Sequence, residues 1–258
     1  MLDAVIIVLR ETLEASLLVS FLFVYSNHFK VHKKWMSLAL APGIASAFLV
    51  AFNLPNISDL FDGTGQEVLF VAVLLSLSLL IQWVNLIAML SGNLNVGPPL
   101  LKMLFSSIII LAISLEGAEI IIFFQSSMAN ENNFYPNLLG SILGLGIGVS
   151  VGAASYYILD QLSKAGLAIC SFLLVMVSAG MASQAVSYLM QADLLNSGYP
   201  IWDTGSLIDE RSVVGQLLYA LMGYEATPSF VQVIVYFSYI GIPLSIFFYL
   251  KYSSSRGG

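Results

Sequence analysis

The chain has 258 residues, of which 58% are hydrophobic and only 9% are charged, with a formal net charge of -6. A soluble domain carries about a quarter charged residues, so this composition excludes a water-soluble globule, whose surface so few charges could not cover. It predicts a protein of the lipid bilayer, with no nucleic-acid partner.

Seven segments of the chain are apolar and long enough to cross a bilayer, at about 20 residues each. Lipid offers the backbone no hydrogen-bond partners, and no alternating ten-residue strands indicate a barrel, so we expect every span to be helical. The sequence therefore predicts an all-α, polytopic membrane protein with seven transmembrane helices. The predicted spans are Leu2–Tyr25, Met36–Leu54, Gln66–Gly92, Met103–Met128, Asn137–Leu159, Gly166–Met190 and Ser229–Leu250.

Basic residues predict the orientation of these spans. Most Lys and Arg residues fall on one side of the membrane, which the positive-inside rule assigns to the cytoplasm. The N-terminus is then outside and the C-terminus inside. The opposite side collects acidic residues, which either concentrate cations near a pore mouth or only solvate the loops. The cytoplasmic basic residues are Lys30, Lys33, Lys34, Lys102, Lys164, Lys251 and Arg256.

The segment between the sixth and seventh spans is the only long loop, from about Gln191 to Pro228. Within it, Val213–Met222 predicts a short helix lying at the membrane interface. Tyr and Trp residues of this loop suit that depth.

Small residues form one stripe along the fifth span. Gly140, Gly144, Gly148 and Gly152 follow one another at intervals of four, so they share one face of a helix. Such a face lets another helix approach closely. The stripe serves either an internal contact or a dimer, and the sequence leaves both open.

Two pairs of glutamates lie near the middle of the first and fourth spans. Glu11 and Glu14 are three apart, as are Glu116 and Glu119, so both members of each pair face the same way on their helix. The motifs are in register, since 116 − 11 = 105 and 119 − 14 = 105. Arg10 precedes the first pair and can neutralise one acid, most simply Glu14 one turn on.

The register of the two motifs predicts an inverted repeat. With three spans per unit, the first span runs inward and the fourth outward, and such repeats hold substrate at the midplane. We expect one transmembrane domain, residues 1–258, with repeats of about 1–92 and 103–190. An outer loop of about 191–228 and a seventh helix of about 229–250 follow the repeats.

The energetic cost of these acids indicates a function. A charged side chain at mid-membrane costs about 2.5–3.5 kcal/mol even on a lenient scale. Neighbouring carboxylates also repel, so they must be protonated, paired with a base or bound to a cation. Carboxylates suit hard or borderline metal ions. The alternative is that they are structural, held by hydrogen bonds between helices.

Four further polar residues lie in the spans, and they either coordinate an ion or join helices. They are Gln82, Asn85, Gln125 and Gln184.

Several classes of function lack their motifs. We find no His-Glu-x-x-His, and no Glu-x-x-His partner for a di-iron centre, so we do not expect an enzyme. No Walker sequence is present to hydrolyse ATP. A cation transporter is the first interpretation. A carrier or channel for another divalent metal cation, a proton-coupled carrier and a structural subunit are the alternatives.

At these motifs the chain resembles the oxidase-dependent iron permeases, a family of fungal high-affinity iron permeases and their bacterial relatives. That family has Arg-Glu-x-x-Glu in the first and fourth of seven helices. Residues 10–14 match the first motif, with Thr12 where Gly is usual, and in the second motif Leu115 replaces the arginine. The segment from Trp202 through Gly223-Tyr224 to Pro228-Ser229 is similar to the one before the family's last helix.

The resemblance implies a permease that imports iron, as Fe²⁺ or Fe³⁺, across the plasma (bacterial inner) membrane. It implies that Glu11, Glu14, Glu116 and Glu119 handle the metal, with Arg10 in support. Iron is then cargo, and no resident cofactor is expected. In the family the permease often works with a partner protein that oxidises or delivers iron.

Overall fold

The computed structural model describes residues 1–89, 97–128, 131–196 and 198–256, and over these residues the protein is helical. A lone antiparallel bridge joins Pro200 to Ser229 within this part of the chain. The long helices are α1 (Leu2–His28), α2 (Lys34–Ser58), α3 (Gly65–Met89), α4 (Pro98–Met128), α5 (Glu131–Gln161), α6 (Ser163–Gln191) and α8 (Phe230–Arg256). The short helix α7 spans Val213–Met222, and Phe61–Gly63 form one 3₁₀ turn.

Each predicted span coincides with one of the long helices, most of which run past the predicted ends. A helix can continue into the polar interface, where water again satisfies its backbone, and Pro98 suits the first position of α4. Gly92, the predicted end of the third span and first repeat, lies outside the described residues. So do the side chains of Lys164, Lys251 and Arg256, on which part of the predicted orientation rests.

Five helices, α2 to α6, are long and apolar enough to cross a membrane. Helix α1 is 27 residues long but carries Arg10, Glu11 and Glu14 in its N-terminal half. Helix α8 is apolar over the part whose side chains are described, Phe230–Ile246. The all-helical, polytopic class predicted from the sequence is therefore observed.

The bundle is built mainly from three helix pairs: α1 with α5, α2 with α4, and α3 with α6. Every pair joins a helix from the predicted first repeat to one from the predicted second. Helix α1 also contacts α4, so the two glutamate-bearing helices meet inside the bundle.

The glycine stripe of α5 forms the contact with α1. A Cβ atom added to Gly152 would lie 2.6 Å from the Cβ of Ser16, and one added to Gly148 would lie 2.8 Å from the Cβ of Thr12. The Ser16 hydroxyl donates a hydrogen bond to the Gly148 carbonyl oxygen at 2.9 Å, and Ser20 donates to the Gly152 carbonyl oxygen at 2.6 Å. The internal contact, one of two readings open in the sequence, is the one observed.

Helix α7, predicted from the sequence with the same ends, is fixed at both termini. The Ser212 hydroxyl caps its N-terminus by accepting a backbone N–H three residues on. Gly223 ends it with φ of +65°, which glycine adopts without strain, and packs against Gly180 of α6. The Tyr236 hydroxyl of α8 donates to the Met222 carbonyl oxygen at 2.6 Å. The helix packs against α1 and α6.

Candidate metal-handling site

Helix α1 places the first glutamate pair inside the bundle. Glu11 is 4% exposed and Glu14 is 6% exposed, as expected for residues three apart on a buried face. The Arg10 Nε donates to the Glu14 Oε1 at 3.4 Å and lies 4.0 Å from the Glu11 Oε1. The ion pair between Arg10 and Glu14 that the spacing predicts is thus present in the structure.

Helix α4 brings a third carboxylate to the same place. Glu116 is 4% exposed, and oxygens of Glu11, Glu14 and Glu116 all lie within 4.8 Å of one another. We call these residues the three-glutamate cluster. Its members come from two helices that are far apart in sequence, so the fold itself creates the cluster.

The fourth predicted residue, Glu119, lies beside this cluster. It is half-buried, and its Oε1 accepts a hydrogen bond from the Tyr188 hydroxyl of α6 at 3.1 Å. It interacts electrostatically with both Glu11 and Arg10. The structure therefore gathers three predicted residues within one ion's reach and leaves the fourth at the rim.

Arg10 has a second partner, Tyr219 of α7. Its Nη2 donates to the Tyr219 hydroxyl at 2.8 Å, and its Cζ lies 4.2 Å from the centre of the Tyr219 ring. The guanidinium group is thus held between a carboxylate of α1 and an aromatic side chain of α7.

A polar cavity of about 260 Å³ is lined by Arg10 and by none of the three clustered glutamates. We call it the loop-side cavity, because the long loop and α6 supply much of its lining. Burial raises the pKa of the Glu225 carboxyl, the charge of Glu210 acts in the same direction, and a hydrogen bond from Gln232 opposes them. The lining residues that carry polar side chains are Arg10, Ser183, Gln184, Ser187, Tyr188, Gln191, Glu210, Tyr219 and Glu225.

The other intramembrane polar residues have separate roles. Gln82 donates to the Tyr239 carbonyl oxygen at 2.9 Å, and Asn85 accepts from the Tyr25 hydroxyl at 2.6 Å. Gln82 and Asn85 therefore join helices, which is one of the two roles that the sequence allows them. Gln184 lines the loop-side cavity, whereas Gln125 is exposed.

Sequence reasoning missed Tyr188 and Tyr219. Both lie outside the glutamate motifs, and their partners are 69 and 209 residues away along the chain. The signal for Tyr219 was its position in a short helix between two spans. That pattern shows where the helix is but not which buried charge it meets.

The chemistry of the site favours a cation. Its ligands are carboxylate oxygens, which suit hard and borderline metal ions. With Glu11, Glu14, Glu116 and Glu119 ionised beside Arg10, the net charge is −3 (four negative, one positive). A multivalent cation would relieve this repulsion, as protons would also do.

Comparisons with known proteins show the family of the chain. Residues 1–255 match the iron permease FTR1 family, and the chain belongs to that family. It is similar to the ferrous iron permease EfeU of Escherichia coli O6:H1 (strain CFT073), 26% identical over 95% of this chain and 94% of that protein. It is 27% identical to the ferrous iron permease EfeU of Yersinia pestis, over 98% of this chain and 94% of that protein. None of the solved structures matches it.

The family and the apolar helices together identify an integral, multi-pass membrane protein of the bacterial inner membrane, as predicted. They also support iron transport and a transporter rather than an enzyme.

Proposed function

We propose that this protein imports iron into the cytoplasm and that Glu11, Glu14, Glu116 and Glu119 bind the ion on its way. The observation that carries the proposal is the convergence of three buried carboxylates within 4.8 Å of one another. A buried group of like charges is costly unless a counter-ion joins it. In a chain of the iron permease family, iron is the fitting counter-ion.

Arg10 supports the site by offsetting part of its charge while the ion is absent. The position in register with it, 10 + 105 = 115, holds Leu115, which is 3% exposed. A basic residue therefore lies beside the first motif but not at the matching position of the second. It lies on the side of the glutamates that borders the loop-side cavity. We propose that this is the side from which iron arrives.

We propose seven membrane spans, α1 to α6 and α8, with the N-terminus outside and the C-terminus inside. Helices α1 to α3 and α4 to α6 are the inverted halves. The helix pairs support this arrangement, because exchanging the halves turns the pair of α1 and α5 into the pair of α4 and α2. The pair of α3 and α6 maps onto itself.

A second stripe of small residues supports the same repeat. On α2, Ala39, Gly43 and Ala47 are buried and spaced four apart. They are in register with the α5 stripe, since 144 − 39 = 105, 148 − 43 = 105 and 152 − 47 = 105. Gly43 packs against Ile113 of α4, as the α5 glycines pack against α1.

The membrane potential can drive the import. An inside-negative potential favours cation uptake by about 2.3 kcal/mol per charge per 100 mV. The printed names of the relatives say ferrous iron, so Fe²⁺ is the form we propose. Another divalent cation remains the competing substrate, since oxygen ligands alone do not select iron.

Uptake by proteoliposomes tests the proposal. Purified wild type is compared with Glu11→Gln and Glu116→Gln under anoxic conditions, with Fe²⁺, Fe³⁺, Mn²⁺ and Zn²⁺ presented separately. We expect at least a tenfold loss of Fe²⁺ uptake in both variants, because each removes a carboxylate ligand from the cluster.

The matched control is Asp62→Asn, the same carboxylate-to-amide change at an exposed residue, which should transport normally. Unchanged uptake in the two glutamate variants would show that these acids are structural and do not bind the ion. Wild-type uptake of Mn²⁺ or Zn²⁺ in preference to iron would replace the proposed substrate.

A further inference from the structure

Arg10 borders both the loop-side cavity and the three-glutamate cluster. Its side chain is one-third exposed and forms part of the cavity wall, while its Nε bonds to the buried Glu14. Tyr188, which binds Glu119, and Tyr219, which binds Arg10, form the same wall. A cation that passes from this cavity to Glu14 therefore comes close to the Arg10 guanidinium.

The guanidinium group competes with any incoming cation for Glu14. A tight Arg–Glu pair would keep that carboxylate occupied, since charge-assisted bonds are roughly twice as strong as neutral ones. The Arg10 bond to Glu14 is long, at 3.4 Å, whereas the bond to the Tyr219 hydroxyl is short, at 2.8 Å. The Tyr219 ring adds a cation–π contact at 4.2 Å.

Tyr219 belongs to an element outside both proposed repeats. Helix α7 is anchored by its Ser212 cap and by the close contact between Gly223 and Gly180, so the tyrosine has a fixed position above Arg10. The second motif has no arginine to position, since Leu115 stands where the first motif has Arg10.

We propose that Tyr219 is a positioning residue that draws Arg10 away from Glu14, so that an ion from the loop-side cavity can reach the cluster. The proposal rests on the function proposed above. Tyr219 touches the arginine and acts on the transported ion through it.

The variant Tyr219→Phe tests this, because it keeps the ring and removes the hydroxyl. Without that bond Arg10 should pair more tightly with Glu14 and compete better with the ion. We expect the apparent KM for Fe²⁺ to rise about three- to tenfold, in line with the typical net contribution of one hydrogen bond, with little change in maximal rate. The control is Tyr224→Phe, which loses a hydroxyl bonded to Thr204 and Ile208 in the same loop and should keep the wild-type KM.

A double-mutant cycle on Fe²⁺ binding to the purified, detergent-solubilised protein completes the test and does not depend on transport. In an Arg10→Leu background, Tyr219→Phe should change the Kd less than twofold, because the residue it acts through is gone. An equal effect of Tyr219→Phe in both backgrounds would overturn the proposal. So would a change in thermal stability alone, or a KM that follows the Tyr224→Phe control.

The two proposals fail differently. Wild type that neither binds nor transports iron would remove the proposed function, and this inference with it. Wild type that transports iron through the glutamates, with Tyr219→Phe unchanged, would overturn this inference alone.

Discussion

Three buried carboxylates lie together inside the bundle, beside one partly exposed guanidinium group. Each acid costs free energy at this depth, and the cost is greatest where acids face one another. A bundle needing only structural hydrogen bonds could use amides or hydroxyls, as it does at Asn85 and Ser20. Buried acids fit a protein that transports cations, because a bound cation offsets their cost.

Glu225 gives the loop-side cavity a dependence on pH. It lies in the loop between α7 and α8, and burial raises the pKa of its carboxyl. Below that pKa the group is neutral and the cavity attracts cations less. We therefore expect the apparent KM for Fe²⁺ to rise as the external pH falls from neutral through the raised pKa of this carboxyl.

The variant Glu225→Gln isolates this contribution. It should show a high KM throughout and lose that part of the pH dependence. The control Asp203→Asn, a change at an exposed acid between α6 and α7, should keep the wild-type profile. Glu210 and Arg10 also face the cavity, and Arg10 stays charged over this range. A Glu225→Gln profile that parallels wild type would show that another group titrates.

At the level of single residues, the sequence predicts whatever depends on local spacing. The ion pair of Arg10 and Glu14 and the shared face of Glu11 and Glu14 follow from helical geometry alone. The partnership of Arg10 with Tyr219 depends on how a loop folds back over the bundle, and no local pattern records that.

Among the elements, α5 shows how a stripe of glycines fixes a contact. Gly152 meets Ser16 so closely that a methyl group cannot fit without movement, whereas a Cβ at Gly146 on the same helix meets nothing within 4 Å. Gly152→Ala should lower the free energy of unfolding by about 1–3 kcal/mol through overpacking. Gly146→Ala should be neutral or raise it by up to about 1 kcal/mol, because alanine favours helix.

Thermal unfolding in detergent measures both changes. Equal effects at Gly152 and Gly146 would contradict a close contact between α1 and α5. Since Ser16 and Ser20 bond to carbonyl oxygens of α5, the contact also holds the helix that bears Glu11 and Glu14.

The sequence predicts the helices better than their partners. Hydropathy locates the spans, and the α5 stripe indicates which face of that helix is closely packed. It does not indicate that α1 packs against α5 across the two predicted repeats. Helices that are apolar on nearly every face carry too little contrast to name a neighbour.

For the whole molecule, the proposed topology predicts which loops face each side of the membrane. Cys170 is the single cysteine and is buried, so an added cysteine can be labelled against a low background. A membrane-impermeant maleimide should label Asp62→Cys in intact cells and should label His32→Cys only after the cells are opened. Both sites are exposed. Labelling of His32→Cys in intact cells would show that the orientation is the reverse of the one proposed.

Locating the bound ion tests most directly whether the three-glutamate cluster binds iron. Crystals of the protein loaded with Fe²⁺ would be measured at the iron absorption edge, where anomalous scattering marks iron alone. We expect an iron peak among Glu11, Glu14 and Glu116, and its loss in Glu116→Gln crystals. Iron bound elsewhere in the wild type, with none at the three-glutamate cluster, would contradict iron binding by these glutamates.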